Sequence, residues 1–204
     1  MKSKLLYGKI QVVDNTVGSL TQEQKALIVG TILGDGYLRI IPKRNNAFLE
    51  VNHSINQKDY VDWKYLILKS IVKSGPRLRK GNGHRIACRF YTRSMPEITQ
   101  LYKTFYQKGK KIIPENINLE PFGLAVWFMD DGSRSRNSLY INSQQFDLED
   151  QLKLQKLLLG RFGIRSTLNK DKIYQRIRIV TKDAKKLCDL IRDFVPKSMQ
   201  YKLV

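Results

Sequence analysis

Chemistry is first legible at two acidic marks. Asp35-Gly36 and Asp131-Gly132 stand 96 positions apart, and each closes an apolar stretch of helical period. A carboxylate is misplaced there, because the C-terminal end of a helix already carries partial negative charge. Asp130 adds a second acid beside Asp131. A single case reads as an ordinary Asp-Gly turn. Two cases at matching places in a repeated pattern ask for something positive between them, and a divalent cation held by carboxylate oxygens meets that need. Lys111 and Lys202 make a second matched pair, 91 positions apart, each just after the last helical segment of its repeat.

For these groups to converge, the stretches carrying them must pack together. Thr21 reads as an N-cap with Glu23 in the first turn. The helix it opens runs through Ala26, Leu27, Ile28, Val29, Ile32 and Leu33, with Gly36 expected in the left-handed conformation that ends helices. Gly30 and Gly34 lie four apart on one face, and each interior glycine costs about 1 kcal/mol against alanine. Close backbone approach to a neighbour is the reason to accept that cost. In the second apolar helix, Phe122 to Asp130, Val126 and Asp130 stand where Gly30 and Gly34 stand in the first, so the crossing is not expected to be symmetric.

Around these helices the pattern repeats. Strands are expected at 37–41, 47–54, 77–80 and 85–92, the last pair turning at Gly81-Asn82-Gly83. Helices are expected at 57–72, with Tyr60, Trp63, Ile67 and Ile71 on one face, and at 95–106. In the second half, strands at 139–144, 164–169 and 173–180 and helices at 148–162 and 184–194 follow in the same order, with Gly75 and Gly163 as matching helix stops. Each half is therefore read as αββαββα, although only one strand, 139–144, stands out ahead of the middle helix of the second half. The expected fold is α+β: two halves in matching order, 21–117 and 118–204, after an arm of residues 1–20, with the two Asp-Gly helices packed against each other.

Composition narrows the partner. The 204 residues include 37 Lys and Arg against 18 Asp and Glu, a formal net charge of +19. Such an excess in a foldable chain points to a polyanion, nucleic acid first and an anionic membrane surface second. The longest uncharged apolar run, Ala26 to Gly34, is nine residues, far short of the roughly 18 that span a bilayer. Lys9 interrupts the apolar stretch after Lys2 and Lys4, which argues against a signal peptide. Cys88 and Cys188 form no CxxC pair. His53 and His84 show no metal-ligand spacing and read as hairpin or DNA-face polar residues.

The strands alternate an apolar face with a polar, basic one. Tyr174, Arg176 and Arg178 oppose Ile173, Ile177 and Ile179. Arg85, Arg89 and Tyr91 oppose Ile86, Cys88 and Phe90, and Arg77 and Arg79 flank Leu78. Arg165, Thr167 and Asn169 alternate with Ile164 and Leu168. Tyr140, Asn142 and Gln144 alternate with Leu139 and Ile141, and Arg134 and Arg136 share the parity of Tyr140. Glu50 and Asn52 oppose Leu49 and Val51, and Arg39, Lys43 and Arg44 extend the same hairpin. Any solvated antiparallel face alternates in this way. The positive bias, and the presence of Arg, Asn and Gln, favour base edges and phosphates in a duplex.

Ile28-Val29-Gly30-Thr31-Ile32-Leu33-Gly34-Asp35-Gly36 and Leu124-Ala125-Val126-Trp127-Phe128-Met129-Asp130-Asp131-Gly132 resemble the two motifs of the LAGLIDADG homing endonucleases, in their single-chain, two-motif branch. Lys110-Lys111-Ile112-Ile113-Pro114, Ile141 to Phe146 and Tyr201-Lys202-Leu203 are similar to that branch as well. The resemblance implies two pseudo-symmetric halves whose curved antiparallel sheets form a DNA-binding saddle around the central motif helices. It implies a monomeric, site-specific enzyme, intron-encoded, that breaks both strands of a long asymmetric DNA site and leaves short 3′ overhangs. It implies Mg²⁺, with Mn²⁺ able to substitute, bound by Asp35 and Asp131 with the backbone carbonyls of Gly34 and Asp130. It further implies that Lys111 and Lys202 sit beside the scissile phosphates as catalytic residues. Residence would be intracellular, in an organelle or a bacterial cytoplasm. An intron RNA maturase, or a DNA-binding regulator that does not cut, could use the same fold, although the presence of both acids argues against the regulator.

The charge excess yields one expectation directly. Engaging six to ten phosphates at about −0.9 each gives a slope of log K against log salt between roughly −5 and −9. Titration of duplex binding against salt measures it, and a slope near zero would reject the basic-face reading.

Overall fold

The computed structural model describes residues 19–81, 85–136 and 138–203. Residues 1–18 of the expected arm, the turn at Asn82-Gly83 and His84 lie outside this range. The first half is α1 (Gln22–Leu33), β1 (Tyr37–Ile40), β2 (Ala47–Ser54), α2 (Lys58–Leu68), β3 (Arg77–Lys80), β4 (Ile86–Tyr91) and α3 (Pro96–Phe105). A two-stranded link, β5 (Tyr106–Gln107) and β6 (Lys110–Lys111), follows. The second half repeats the order with α4 (Pro121–Asp131), β7 (Gly132–Ser135), β8 (Ser138–Ile141), α5 (Leu148–Phe162), β9 (Ser166–Asp171), β10 (Tyr174–Ile179) and α6 (Thr181–Ile191). Two four-stranded antiparallel sheets result, in order β1-β2-β4-β3 and β7-β8-β10-β9. The same order in both halves is the expected αββαββα repeat. Among the described residues, no helix is long and apolar enough to cross a membrane.

Helix α1 starts on a capping box: the Thr21 hydroxyl accepts from the Gln24 amide and the Gln24 side chain accepts from the Thr21 amide. It is buried on nearly every side from Leu27 onward, as is α4 from Gly123. Helices with apolar residues all round belong inside a protein, and these two lie against each other. Glycine makes the approach possible. A Cβ at Gly30 would fall 2.2 Å from the Gly123 carbonyl oxygen and 2.8 Å from the Val126 Cβ, and one at Gly34 would fall 2.4 Å from the Asp130 Cβ. The crossing is asymmetric, as the substitution of Val126 and Asp130 for small residues foretells. Gly123, rather than a residue at either of those positions, is the small partner that α4 offers.

Several local expectations are corrected. Gly36 does not take the expected positive φ, and neither does Gly132 at the matching place; among the described glycines only Gly109 and Gly163 do. Their small size is needed for another reason: a Cβ at Gly36 would meet the Thr31 side chain at 2.3 Å, and one at Gly132 the Phe128 carbonyl at 2.2 Å. Gly163 does end α5 as expected, at φ 59°, its amide bonded to Leu159. Gly75 ends nothing, since α2 passes into a 3-10 turn that closes at Ile71. The buried residues of α2 are Tyr60, Val61, Lys64 and Leu68, so its inward face is rotated from the expected Trp63 and Ile67 line and includes a lysine.

Replacing Gly30 by alanine should lower stability by about 2 kcal/mol, the size of a core overpacking. Gly160, a helical glycine whose Cβ would meet nothing within 4 Å, should gain about 1 kcal/mol when changed to alanine. Urea denaturation of the two variants checks both signs.

Candidate active site

Packing α1 on α4 brings the ends of both helices together, and the acids with them. Burial, then the neighbouring Asp130, raises the Asp35 pKa. Burial, then Asp35 and Asp130, pushes Asp131 well above the usual carboxylate range. This concentration of negative charge is answered by lysines from distant parts of the chain. Lys111 on β6 donates to the carbonyls of Gly34 and Gly36, each at 3.0 Å, and to Gln145 Oε1 at 3.1 Å. Lys202 donates to the carbonyls of Met129 and Asp130, the latter at 3.1 Å. The two lysines thus play matching parts, each reaching the carbonyl that precedes one Asp-Gly acid. Burial lowers both ammonium pKa values, that of Lys111 to about 8. Gln145 joins the halves, its amide lying 3.3 Å from the Gly34 carbonyl and 3.4 Å from Asp131 Oδ2.

Beside Asp35 lies a second cluster that sequence reasoning missed. The Asp130 carboxylate is fully enclosed and accepts from Lys64 Nζ at 2.7 and 3.0 Å, from the Tyr60 hydroxyl at 2.7 Å and from the Asp35 amide at 3.2 Å. His53, expected on an exposed hairpin face, is buried instead. Its Nε2 lies 3.5 Å from Lys64 Nζ and its Nδ1 lies 3.5 Å from Asp35 Oδ2. Burial and the Lys64 charge lower its pKa to about 4, so the ring is neutral at physiological pH. An ammonium can only donate, so Nε2 accepts from Lys64 and the ring proton belongs on Nδ1, and the Gln57 side chain also hydrogen-bonds the ring. Asp35, His53 and Asp130 offer ligand atoms within 4.8 Å of one another. They make a poor metal set all the same, because Lys64 already fills the Asp130 carboxylate with a positive charge. The sequence carries one faint signal for it: Lys64 lies four residues after Tyr60 and four before Leu68, the spacing of one helix face, but that face is shown to point inward only by the structure.

The sheet residues fall where alternation puts them, with exceptions. On the first sheet, register places Glu50, Asn52, Arg89, Tyr91, Arg77 and Arg79 on one face, with Arg39 outward on β1. Arg77 stands directly opposite Arg89, a like-charge pairing that is unfavourable without an anion nearby. Glu50 is occupied by Arg39 at 3.2 Å and Arg89 at 3.6 Å. Lys43 and Arg44 are exposed in the β1–β2 connection, and Arg85 is exposed just before β4. On the second sheet, Tyr140, Arg178 and Thr167 share a face with Arg176 and Asn169, and Arg176 stacks 4.2 Å over the Tyr140 ring. Tyr174 is exposed at the start of β10.

The exceptions have local causes. Ser133, not Arg134, pairs with Tyr140, so Arg134 lies on the Leu139 face and donates to the Leu203 carbonyl. Arg136 sits in the turn at φ 52°. Ile173 is not on an apolar face but on the β9–β10 turn, 85% exposed. Asn142 and Gln144 fall beyond the end of β8, and Gln144 bonds Asp171 at 2.8 Å. Arg165 is engaged by both oxygens of Asp183, at 2.8 and 2.9 Å, which holds that carboxyl well below the usual range.

Paired helices ending in acids between two basic sheets define a class, and the sequence agrees with it. Residues 25–187 match the LAGLIDADG DNA endonuclease family, and the chain belongs to that family. It is 28% identical over 201 residues to the cytochrome b mRNA maturase bI2 of Debaryomyces hansenii, covering 90% of this chain and 74% of that protein. It is 28% identical over 200 residues to the probable intron-encoded endonuclease 1 of Wickerhamomyces canadensis, covering 91% of this chain and 86% of that protein. The solved structure of the homing endonuclease I-WcaI bound to its DNA recognition sequence matches with a TM-score of 0.85 and 26% identity, over 91% of this chain and 88% of that one.

A raised carboxyl pKa has a measurable consequence for Asp131. The folded state holds this proton more tightly than the unfolded chain, whose reference value is 3.8. The resulting stability is complete below about pH 4 and is lost as pH rises through the folded value. In chelator, the Asp131→Asn variant should therefore melt above the wild type at neutral pH and lose that advantage toward pH 4. Thermal midpoints across this range test it, and parallel pH profiles would contradict it.

Proposed function

We propose that the protein is an intron-encoded homing endonuclease that makes a metal-dependent double-strand break at a long, asymmetric DNA site, leaving short 3′ overhangs. The observation that carries this reading is the paired placement of Asp35 and Asp131 at the ends of the packed helices α1 and α4, each with a lysine on the carbonyl before it. The halves 21–117 and 118–204 each present one sheet, so a single chain supplies both reading surfaces and acts as a monomer. Their unequal polar faces suit a target without a palindrome.

The donor set fits a divalent cation. Hard carboxylate and carbonyl oxygens are what Mg²⁺ and Mn²⁺ take, and the carbonyls of Gly34 and Asp130 already draw ammonium groups toward them. Asp35 with Gly34, and Asp131 with Asp130, would hold the ions. A bound divalent cation supplies a hydroxide-like nucleophile and offsets charge on the leaving oxygen. The chain's own groups supply the remainder. Lys111 and Lys202, released toward a scissile phosphate, stabilise negative charge that develops on it or orient the attacking water. Arg77, Arg79, Arg89, Arg176 and Arg178, with Arg39, Lys43 and Arg44, engage phosphates and base edges, while Asn52, Tyr91, Tyr140, Thr167, Asn169 and Tyr174 add polar contacts to the grooves. A second reading, assistance in intron splicing, draws on the likeness to the cytochrome b mRNA maturase. A splicing reaction with an intron transcript would test it.

Asp35→Asn and Asp131→Asn should each abolish double-strand cleavage and leave specific binding within a few-fold of wild type. Full cleavage by either in Mg²⁺ would remove the proposed site. Lys111→Met and Lys202→Met should each slow single-turnover cleavage by about 10²-fold, the size of a lost transition-state donor, with nicked DNA accumulating because each lysine serves one strand. Wild-type rates at saturation would show that both are plain phosphate anchors.

A further inference from the structure

The two halves differ most where they ought to match. The buried positions of α2 and α5 coincide with a shift of 90 positions, from Tyr60 and Asp150 through Leu68 and Leu158, and this places Lys64 at the position of Leu154. Strand pairing of Tyr37 with Glu50 and of Ser133 with Tyr140 sets His53 at the position of Ser143. Asp130 itself stands at the position of Gly34. Around one acid, then, the chain has Lys64, His53 and Asp130. Around the other, the matching residues are Leu154, Ser143 and Gly34.

Two routes run from Lys64 to Asp35. In the first, the ammonium holds the Asp130 carboxylate, whose Oδ2 accepts the Asp35 amide at 3.2 Å. In the second, the same ammonium fixes the tautomer of His53, whose other ring nitrogen faces Asp35 Oδ2 at 3.5 Å. One route acts on the backbone of Asp35 and the other on its carboxylate. Lys64 and Asp130 are both wholly enclosed, so neither can serve DNA or solvent directly. From this geometry we infer that Lys64 is a positioning residue for Asp35 alone, and that the two strand cuts depend on it unequally. The inference rests on the endonuclease reading above.

The direct test removes the pair together, because deleting one partner strands a buried charge. Lys64→Leu/Asp130→Ala is compared with the wild type on a duplex selected by wild-type cleavage from a randomised library, each strand carrying its own dye, with Mg²⁺ and saturating enzyme. The strand that Asp35 serves is the one whose cutting Asp35→Asn slows more. The expected result is a slowing of that strand by about 10-fold or more, the effect of losing a residue that orients a metal ligand. The Asp130→Ala change keeps the backbone carbonyl assigned to the ion at Asp131, so the other strand should stay within about twofold and nicked duplex should accumulate. His53→Ser, which interrupts one route and keeps the ion pair, should bias the cuts in the same direction and serves if the double variant fails to fold. Equal slowing of both strands, or no slowing of either, overturns the inference.

A second arm needs no cleavage. Mn²⁺ is titrated calorimetrically into protein retaining a single acid, Asp131→Asn or Asp35→Asn, with and without the Lys64→Leu/Asp130→Ala change. Mn²⁺ affinity should fall by about 10-fold where Asp35 remains and hold where Asp131 remains. A wild type that cuts no duplex would defeat the endonuclease reading, and this arm would still judge Lys64. Equal loss at both acids, or no Mn²⁺ bound in the protein that retains Asp35, overturns the assignment.

Discussion

The contact of α1 with α4 is the constraint on which the other features hang. Gly30 meets the Gly123 carbonyl without room for even a methyl group, and Gly34 meets Asp130 as closely. Backbones this near each other bring both helix ends to one place, and the acids, the lysines and Gln145 then have a common centre. The sheets are set outward from the same axis. Their inner faces close over the core, leaving outer faces that include Arg77 opposite Arg89 and Arg176 over Tyr140.

The centre holds more charge than a protein interior tolerates without compensation. Three carboxylates gather within a few residues of the crossing, and three lysines arrive from α2, β6 and the C-terminal turn to meet them. The compensation is of two kinds. Lys64 and Asp130 are sealed from water and fixed by several hydrogen bonds, the arrangement in which a buried pair holds a shape. Lys111 and Lys202 instead grip carbonyl oxygens near a partly exposed Asp35. Such contacts can be exchanged for others when a ligand arrives.

The sequence made the frame legible because the frame is repetitive. Two apolar helices ending in Asp-Gly, a strand at 47–54 whose bounds the structure matches, and a glycine at 163 that stops a helix are local signals, and locality is what patterns report. Lys64, Tyr60 and His53 were not legible as a cluster. Their partner Asp130 is 66 positions from Lys64, and a lysine in an amphipathic pattern reads as solvent-facing until its acid is known. Arg134 escaped for a related reason. Its face depends on how many residues the β7–β8 turn consumes, and one residue more or less reverses the parity of a whole strand.

Asp130 also bears on how such a chain can be assembled. The space beside it is the space a side chain at position 34 would occupy, and glycine alone leaves it free. A second half associating with another copy of itself would bring two Asp130 carboxylates into a single volume with room for one, and two Lys64-like partners would be missing. The pairing of unlike halves in one polypeptide removes that conflict. Covalent fusion here is therefore more than a tether: it permits a core that two identical subunits could not build, and it commits each half to the other.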